Sequence, residues 1–402
     1  MPTSSLSNRA RLTPKVIGGF IGSGVISLVA ANFVPVFMSG MTNDLGFSLG
    51  NAGLVATGMS LASVAAMWIS NLFVATRSRA LIALIGIAAM VAGFGTAALF
   101  YTAAGVCIGL LIAGAGCGVM GAASMAAVSS TENPDRATTV VAVINRAAVS
   151  ALFLLAPIYF NDLRQVFVVL CILGLVGATL VRGLPNMPQG LLSHKSSEPT
   201  DRVAALRPVG IVLALAFGAW SMTEDMVYSL TSAVLGIHAG LSEEASTSML
   251  AYKVLGGLLG TVLAPLALKK FGRPASILGI VAVSTITKYL MITTTTPWVY
   301  MTSIVVWGIV YIAIVILVLG LASSIDISGR TGVFVNSIYV IGIALGPMVG
   351  GRLQPTMTFS AYALLVCLPA VIFGLVIAYI ARRCQHNERT TTARQTNAAV
   401  NS

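Results

Sequence analysis

Twelve runs of mostly apolar residues follow one another along the chain, each close to the roughly 20 residues that a helix needs to cross the hydrocarbon core of a bilayer. They occupy approximately 16–38, 50–73, 80–100, 105–129, 138–160, 164–184, 208–235, 246–268, 275–294, 298–322, 331–352 and 359–381. Lipid offers no hydrogen-bond partners, so backbone crossing it in separate runs of this length has to be helical. Most connections are short, which makes successive helices antiparallel neighbours. One connection, Pro185 to Arg207, is long and polar, and it divides the runs six and six. The expected fold is therefore an all-α integral membrane protein of twelve transmembrane helices in two six-helix bundles, 16–184 and 208–382. A tail over 1–15 precedes the first bundle, 185–207 links the two, and 383–402 is a polar tail of the composition that stays disordered.

Only 9% of the 402 residues are charged and 57% are hydrophobic, against about 25% charged in an ordinary soluble domain. A water-facing surface cannot be assembled from this. The 40 glycines are scattered through the apolar runs, which suits helices packed closely in lipid. A net charge of +11 would suit nucleic acid if it were clustered, but the basic residues sit at the ends of runs, so a nucleic-acid partner is not expected. With the N-terminus in the cytoplasm, the outer connections carry Arg164 and Arg352, Arg146, Lys253 and Lys288 fall within runs, and every other Lys and Arg lies on the cytoplasmic side. Basic residues in short loops stay on that side, so both termini are expected there, in a bacterial inner membrane. The first run is too long for the core of a cleavable signal and is expected to remain a helix. Cys107, Cys117, Cys171, Cys367 and Cys384 lack ligand-like spacing and read as packing residues. No cofactor or metal is expected.

The two halves echo each other. Asp44-Leu45-Gly46-Phe47-Ser48 follows the first run, and Ala239-Gly240-Leu241-Ser242 follows the seventh. Leu155-Ala156-Pro157 ends the fifth, Leu345-Gly346-Pro347 lies at a matching point of the eleventh, and Arg146 then aligns with Asn336. Duplicated bundles of this kind hold their site near the midplane between the halves. In these features the chain resembles the major facilitator superfamily over about 15–382. Leu268-Lys269-Lys270-Phe271-Gly272-Arg273 is similar to the family's basic, glycine-containing cytoplasmic loop. The equivalent Asn71-to-Arg79 loop departs from the pattern: Asn71 and Ser78 stand where the family has glycines, and Ala75 stands where it has an acid. Gly342, Gly346, Pro347, Gly350 and Gly351 form the pattern that the family's antiporters carry in the fifth helix. Here it lies in the eleventh, where it reads as close packing of a kinked helix. The resemblance implies a secondary transporter working by alternating access, and a monomer is expected.

The costliest residues in the chain are Glu224 and Asp225, two carboxylates inside the run from Val209 to Leu235. An ionisable group at membrane depth marks a functional site by default. Counted along the helix, Glu224 lies about 24 Å from the inner face and Lys253 about 20 Å, so an ion pair between Lys253 and either acid is expected, serving proton coupling or gating. Neighbouring helical residues point about 100° apart, so both acids cannot face one cavity unless the helix unwinds there, and Glu224 is favoured as the site acid, with Asp225 at a helix contact or the outer mouth. The alternative is that the seventh run ends early and both acids are wetted at the outer face. Arg146 lies about 12 Å deep, beside Asn145. Its fork of donors fits a carboxylate or phosphate, the alternative being a stem that snorkels to the interface. Asn32, Asn336, Trp220 and Tyr252 join Arg146 and Asn145 as candidate substrate contacts, and Tyr228, Trp307, Tyr311 and Tyr339 are further aromatic wall residues. Lys288 reads as a snorkelling or structural cation, because the ninth helix is peripheral in the resembling family.

The leading expectation is proton-coupled transport of a small organic anion or amphiphile. An efflux antiporter using the acids to bind hydrophobic or cationic compounds is the second. Met222 and Met226 share one helix face and could take Cu(I), a more remote reading, as is a receptor without transport. No nucleotide-binding loop or nucleophile-base constellation suggests an ATPase or another enzyme.

Overall fold

The computed structural model describes residues 9–74, 76–160, 162–186, 208–325 and 330–400, without the side chains of Asp135, Arg330 and 386–400. The linker expected over 185–207 lies outside the described residues beyond Asn186. Among the described residues, twelve helices are long and apolar enough to cross a membrane. They are α1 (Pro14–Asn32), α2 (Leu49–Asn71), α3 (Arg79–Leu99), α4 (Ala103–Val128), α5 (Pro134–Tyr159), α6 (Leu163–Leu180), α7 (Pro208–Tyr228), α8 (Glu243–Phe271), α9 (Arg273–Thr293), α10 (Pro297–Ile325), α11 (Arg330–Leu353) and α12 (Phe359–Val400). Among the described residues no strand forms beyond a single bridge between Ala10 and Thr131.

Local chemistry sets where the helices begin. Ser48, Ser78, Thr102, Asn133, Asp162 and Ser242 each accept a hydrogen bond from the backbone N–H three residues on, satisfying a donor that the first turn would leave orphaned. The first apolar run is not one straight helix. α1 contains a π-helical turn at Ile21–Val25 and stops at Asn32, and a separate helix, Val34–Asn43, follows. Pro35 lacks an N–H and its ring crowds the carbonyl one turn earlier, which accounts for the break. At the other end of the chain, α12 continues as helix through Val400, past the membrane-crossing part that ends at Gln385.

Ala10 pairs with Thr131 between α4 and α5, and Gln385 of α12 lies by Gly272 between α8 and α9; the helix order puts these at one end of the bundle and the Asp44 loop at the opposite, far end. There the Asp44 carboxylate accepts from Leu163 N at 2.8 Å and from Tyr101 Oη at 2.9 Å. Burial and the Asp44 charge push the Tyr101 phenol above its ordinary range. Gly46 turns this loop with φ of +67°, a conformation that costs glycine little.

The halves meet through α2 against α11 and α5 against α8. A Cβ on Gly53 would lie 2.8 Å from the Pro347 carbonyl carbon, so the two backbones nearly touch, and Thr57 Oγ1 accepts from Met348 N at 3.1 Å. Ser150 donates to the Ala251 carbonyl at 3.2 Å. Glu243 accepts from Ser39 and, at 2.7 Å, from Asn43 Nδ2. One apolar core runs from the first half into Met226, Tyr228, Leu250 and Val254 of the second, whereas a separate core around Leu213, Phe217 and Trp220 stays within the second half. These contacts between the halves gather on the far side of the level of Arg146.

Candidate functional site

α7, α8, α9 and α10 bring the buried charges of the second half together, Glu224 and Lys288 within that half and Lys253 toward the junction with the first, where Arg146 reaches the neighbouring Val254 carbonyl. Glu224 is 1% exposed, so it is not wetted at the outer face. α7 continues to Tyr228 before a turn and a π-helical stretch at Thr231–Leu235. The ion pair expected between Glu224 and Lys253 does not form. Glu224 Oε1 pairs instead with Lys288 Nζ and also accepts from Ser284 Oγ at 3.3 Å, while Oε2 accepts from the Trp307 indole N–H. Lys288 is fully buried, so it does not snorkel. The reason is the face of α9 it belongs to: Val281, Ser284, Lys288 and Ile292 form a buried stripe at helical spacing. Trp307 as a hydrogen-bond partner and Ser284 are additions to the sequence reading. The small polar residues one turn from Lys288 were the signal for that inward face.

Lys253 is held by rings. Its Nζ lies 3.6 Å from the Tyr228 centroid, 4.1 Å from Trp307 and 5.3 Å from Tyr311, an arrangement in which the negative ring faces offset the cost of burying the ammonium. The charged groups whose fields reach it are Asp225, Glu224 and Arg146. Among the described residues the ion pairs are Arg11 with Glu132 and Lys288 with Glu224, so Asp225 is within the field of Lys253 without a direct pair. Asp225 is half-buried and points differently from Glu224, as the 100° step between neighbours requires.

Arg146 reaches across from α5. Its Nη1 donates to the Val254 carbonyl at 3.4 Å, and it lies over Gly257, where a Cβ would come within 2.6 Å of the same nitrogen. It sits near the hydroxyls of Tyr311 and Tyr339, which are 2.6 Å apart. Half-buried Asn336 lies one turn before Tyr339 on α11. Arg146, Lys253, Asp225, Tyr311 and Tyr339 thus converge between the halves, with two cations for one acid that is not already paired.

The other expected contacts lie elsewhere. Asn145 donates to the Val25 carbonyl at 3.3 Å in the π-helical turn of α1, and Asn32 donates to Leu28 O at 2.7 Å within its own helix. The Asn32 carbonyl accepts from Tyr228 Oη at 2.7 Å, a bond between the halves. Trp220 is fully buried, stacked between Phe217 and Tyr311, and presents no surface to the interface. Tyr252 is 45% exposed and shares an outward apolar stripe with Leu255, Leu259, Val262 and Leu266, so it faces away from Lys253. Met226 is in the core at 3% exposure while Met222 is half-buried, so the two thioethers are not equally accessible.

The sequence profile described as Major Facilitator Superfamily matches residues 19–347. No curated protein matches the chain. Among solved structures, a mutant of the nucleoside transporter NupG is similar with a TM-score of 0.72 and 12% identity, covering 91% of this chain and 99% of that one. A mutant peptide transporter POT in complex with alafosfalin is similar at 0.68 and 11%, covering 92% and 94%. A D-xylose-proton symporter is similar at 0.67 and 15%, covering 91% and 95%. At these identities the likeness is one of fold.

Proposed function

The chain belongs to the major facilitator superfamily, a family of membrane transporters, and on that premise we propose that it is a proton-coupled carrier of a small organic anion or amphiphile working by alternating access. The observation that carries this reading is the convergence of Arg146 and Lys253 at the junction of the halves, with Asp225 as the nearby acid free of a direct pair. Arginine cannot be neutralised and offers a planar fork to a carboxylate or phosphate. The Tyr311 and Tyr339 hydroxyls are bonded to each other, which leaves one hydroxyl proton of the pair as a further donor for the same group.

Asp225 supplies the coupling. When ionised it draws on the field of Lys253. Once it takes a proton, both cations are left to an anion, so substrate and proton bind together. Glu224 is already satisfied by Lys288, Ser284 and Trp307, which makes it the poorer proton carrier of the two. The Lys and Arg distribution supports cytoplasmic termini. Contacts between the halves at the far end then correspond to a state closed to the outside.

A second reading is supported by one feature. The rings of Tyr228, Trp307 and Tyr311 around an ammonium would also suit a cationic ligand, as in efflux of cationic compounds. A thermal-shift screen of the purified protein against carboxylates, phosphonates and quaternary amines separates the two. The anion reading expects stabilisation by acids that Arg146→Ala abolishes, and stabilisation by quaternary amines alone would replace it with the efflux reading.

A further inference from the structure

Trp307 meets two buried charge systems with different parts of one side chain. Its Nε1–H donates to Glu224 Oε2, and its ring faces the Lys253 ammonium at 4.1 Å. The indole has a single donor, so this one bond fixes the plane of the ring, and the attraction for an ammonium depends on its lying over the ring face. Glu224 is itself immobilised, because Lys288 and Ser284 occupy its other oxygen. The lysine is pinned at its root as well. Gly308, the residue after Trp307, packs on the Lys253 backbone so closely that a Cβ there would lie 3.0 Å from the Lys253 Cα. Backbone contact and ring contact therefore reach Lys253 from adjacent positions of α10. The second ring, Tyr228, is fixed independently by its hydroxyl on the Asn32 carbonyl of the other half.

We propose that Trp307 is a positioning residue that holds the Lys253 ammonium at the junction of the halves, and that Glu224 acts through it as the orienting acceptor for the indole rather than as a proton carrier. The importance of Lys253 for substrate rests on the anion reading above, but its placement does not.

The test is ligand-free. Lys253 is acetylated with acetic anhydride in the purified full-length protein, and its labelling rate is read by peptide mass spectrometry against that of Lys269. Trp307→Leu is expected to raise Lys253 labelling roughly 5-fold, the factor that about 1 kcal/mol of cation–π attraction gives. Because that variant removes a large core side chain, two charge-neutral pairs provide the sharper comparison. Glu224→Gln with Lys288→Met keeps an acceptor for the indole and is expected to label at close to the wild-type rate. Glu224→Ala with Lys288→Met removes the acceptor and is expected to label as fast as Trp307→Leu. Adding Trp307→Leu to the alanine pair should raise the rate no further, whereas general loosening would add. Equal labelling in the two paired variants, or an unchanged rate in Trp307→Leu, overturns the proposal. Since no substrate is present, the result stands whether or not Arg146 binds an anion.

Discussion

Lys288 on α9 and Glu224 on α7 form an ion pair with side chains 0% and 2% exposed, wholly inside the second half. Removing two charges from water is expensive, and the pair is tolerable because both carboxylate oxygens are filled. Deleting one member strands the other. Lys288→Met or Glu224→Ala alone is expected to destabilise the protein by about 3–5 kcal/mol, and the double replacement by much less. Thermal unfolding of the four proteins in one detergent measures this. Equal stability of the single variants and the wild type would mean that the pair does not persist.

Arg146 is expected to be specific to substrate binding. Arg146→Ala should raise the half-saturation concentration for an organic acid by roughly 30-fold, the equivalent of about 2 kcal/mol for a lost partner of a buried charge. Arg146→Lys should recover little, because a point charge does not reproduce the guanidinium fork. Uptake into proteoliposomes is the measurement, and full recovery by lysine would reduce the contact to charge alone.

The close approach of α2 and α11 is expected to control access from the far end. Gly53→Leu places bulk against the Pro347 carbonyl and should shift the protein toward a state in which the halves part there. Ala156 lines a cleft at that end with Asp44 and Glu243. A cysteine placed at 156 should react faster with an impermeant maleimide in the Gly53→Leu background. An unchanged rate would show that this contact does not hold the far end closed.

Much of this arrangement is legible in the residues alone. Run length gives twelve helices because lipid leaves the backbone no alternative. The cost of charge in apolar surroundings singles out Arg146, Glu224, Asp225 and Lys253. Pairing is less legible, because it depends on which way a helix is rotated. Height counted along the chain placed Lys253 and Glu224 level, yet Lys253 turns to the rings of Tyr228 and Trp307, and the partner comes from α9. The inward rotation of α9 was written in Ser284 and Thr287 beside Lys288, small polar residues with little reason to face lipid. Tyr252 shows the same limit from the other side: one step along the helix from Lys253, it points outward. The run over 16–38 reads as continuous; its break after Asn32 has a local cause in Pro35, whereas the π-helical turn at Ile21–Val25 has no such signal in the sequence.

Asp225 is the group proposed to couple a proton to the load. Concentrative uptake of an organic acid is measured in proteoliposomes with an imposed pH gradient, wild type beside Asp225→Asn, together with exchange of labelled for unlabelled substrate without a gradient. The predicted result is that Asp225→Asn exchanges substrate but no longer accumulates it in response to the gradient. Accumulation by Asp225→Asn at the wild-type level would contradict it.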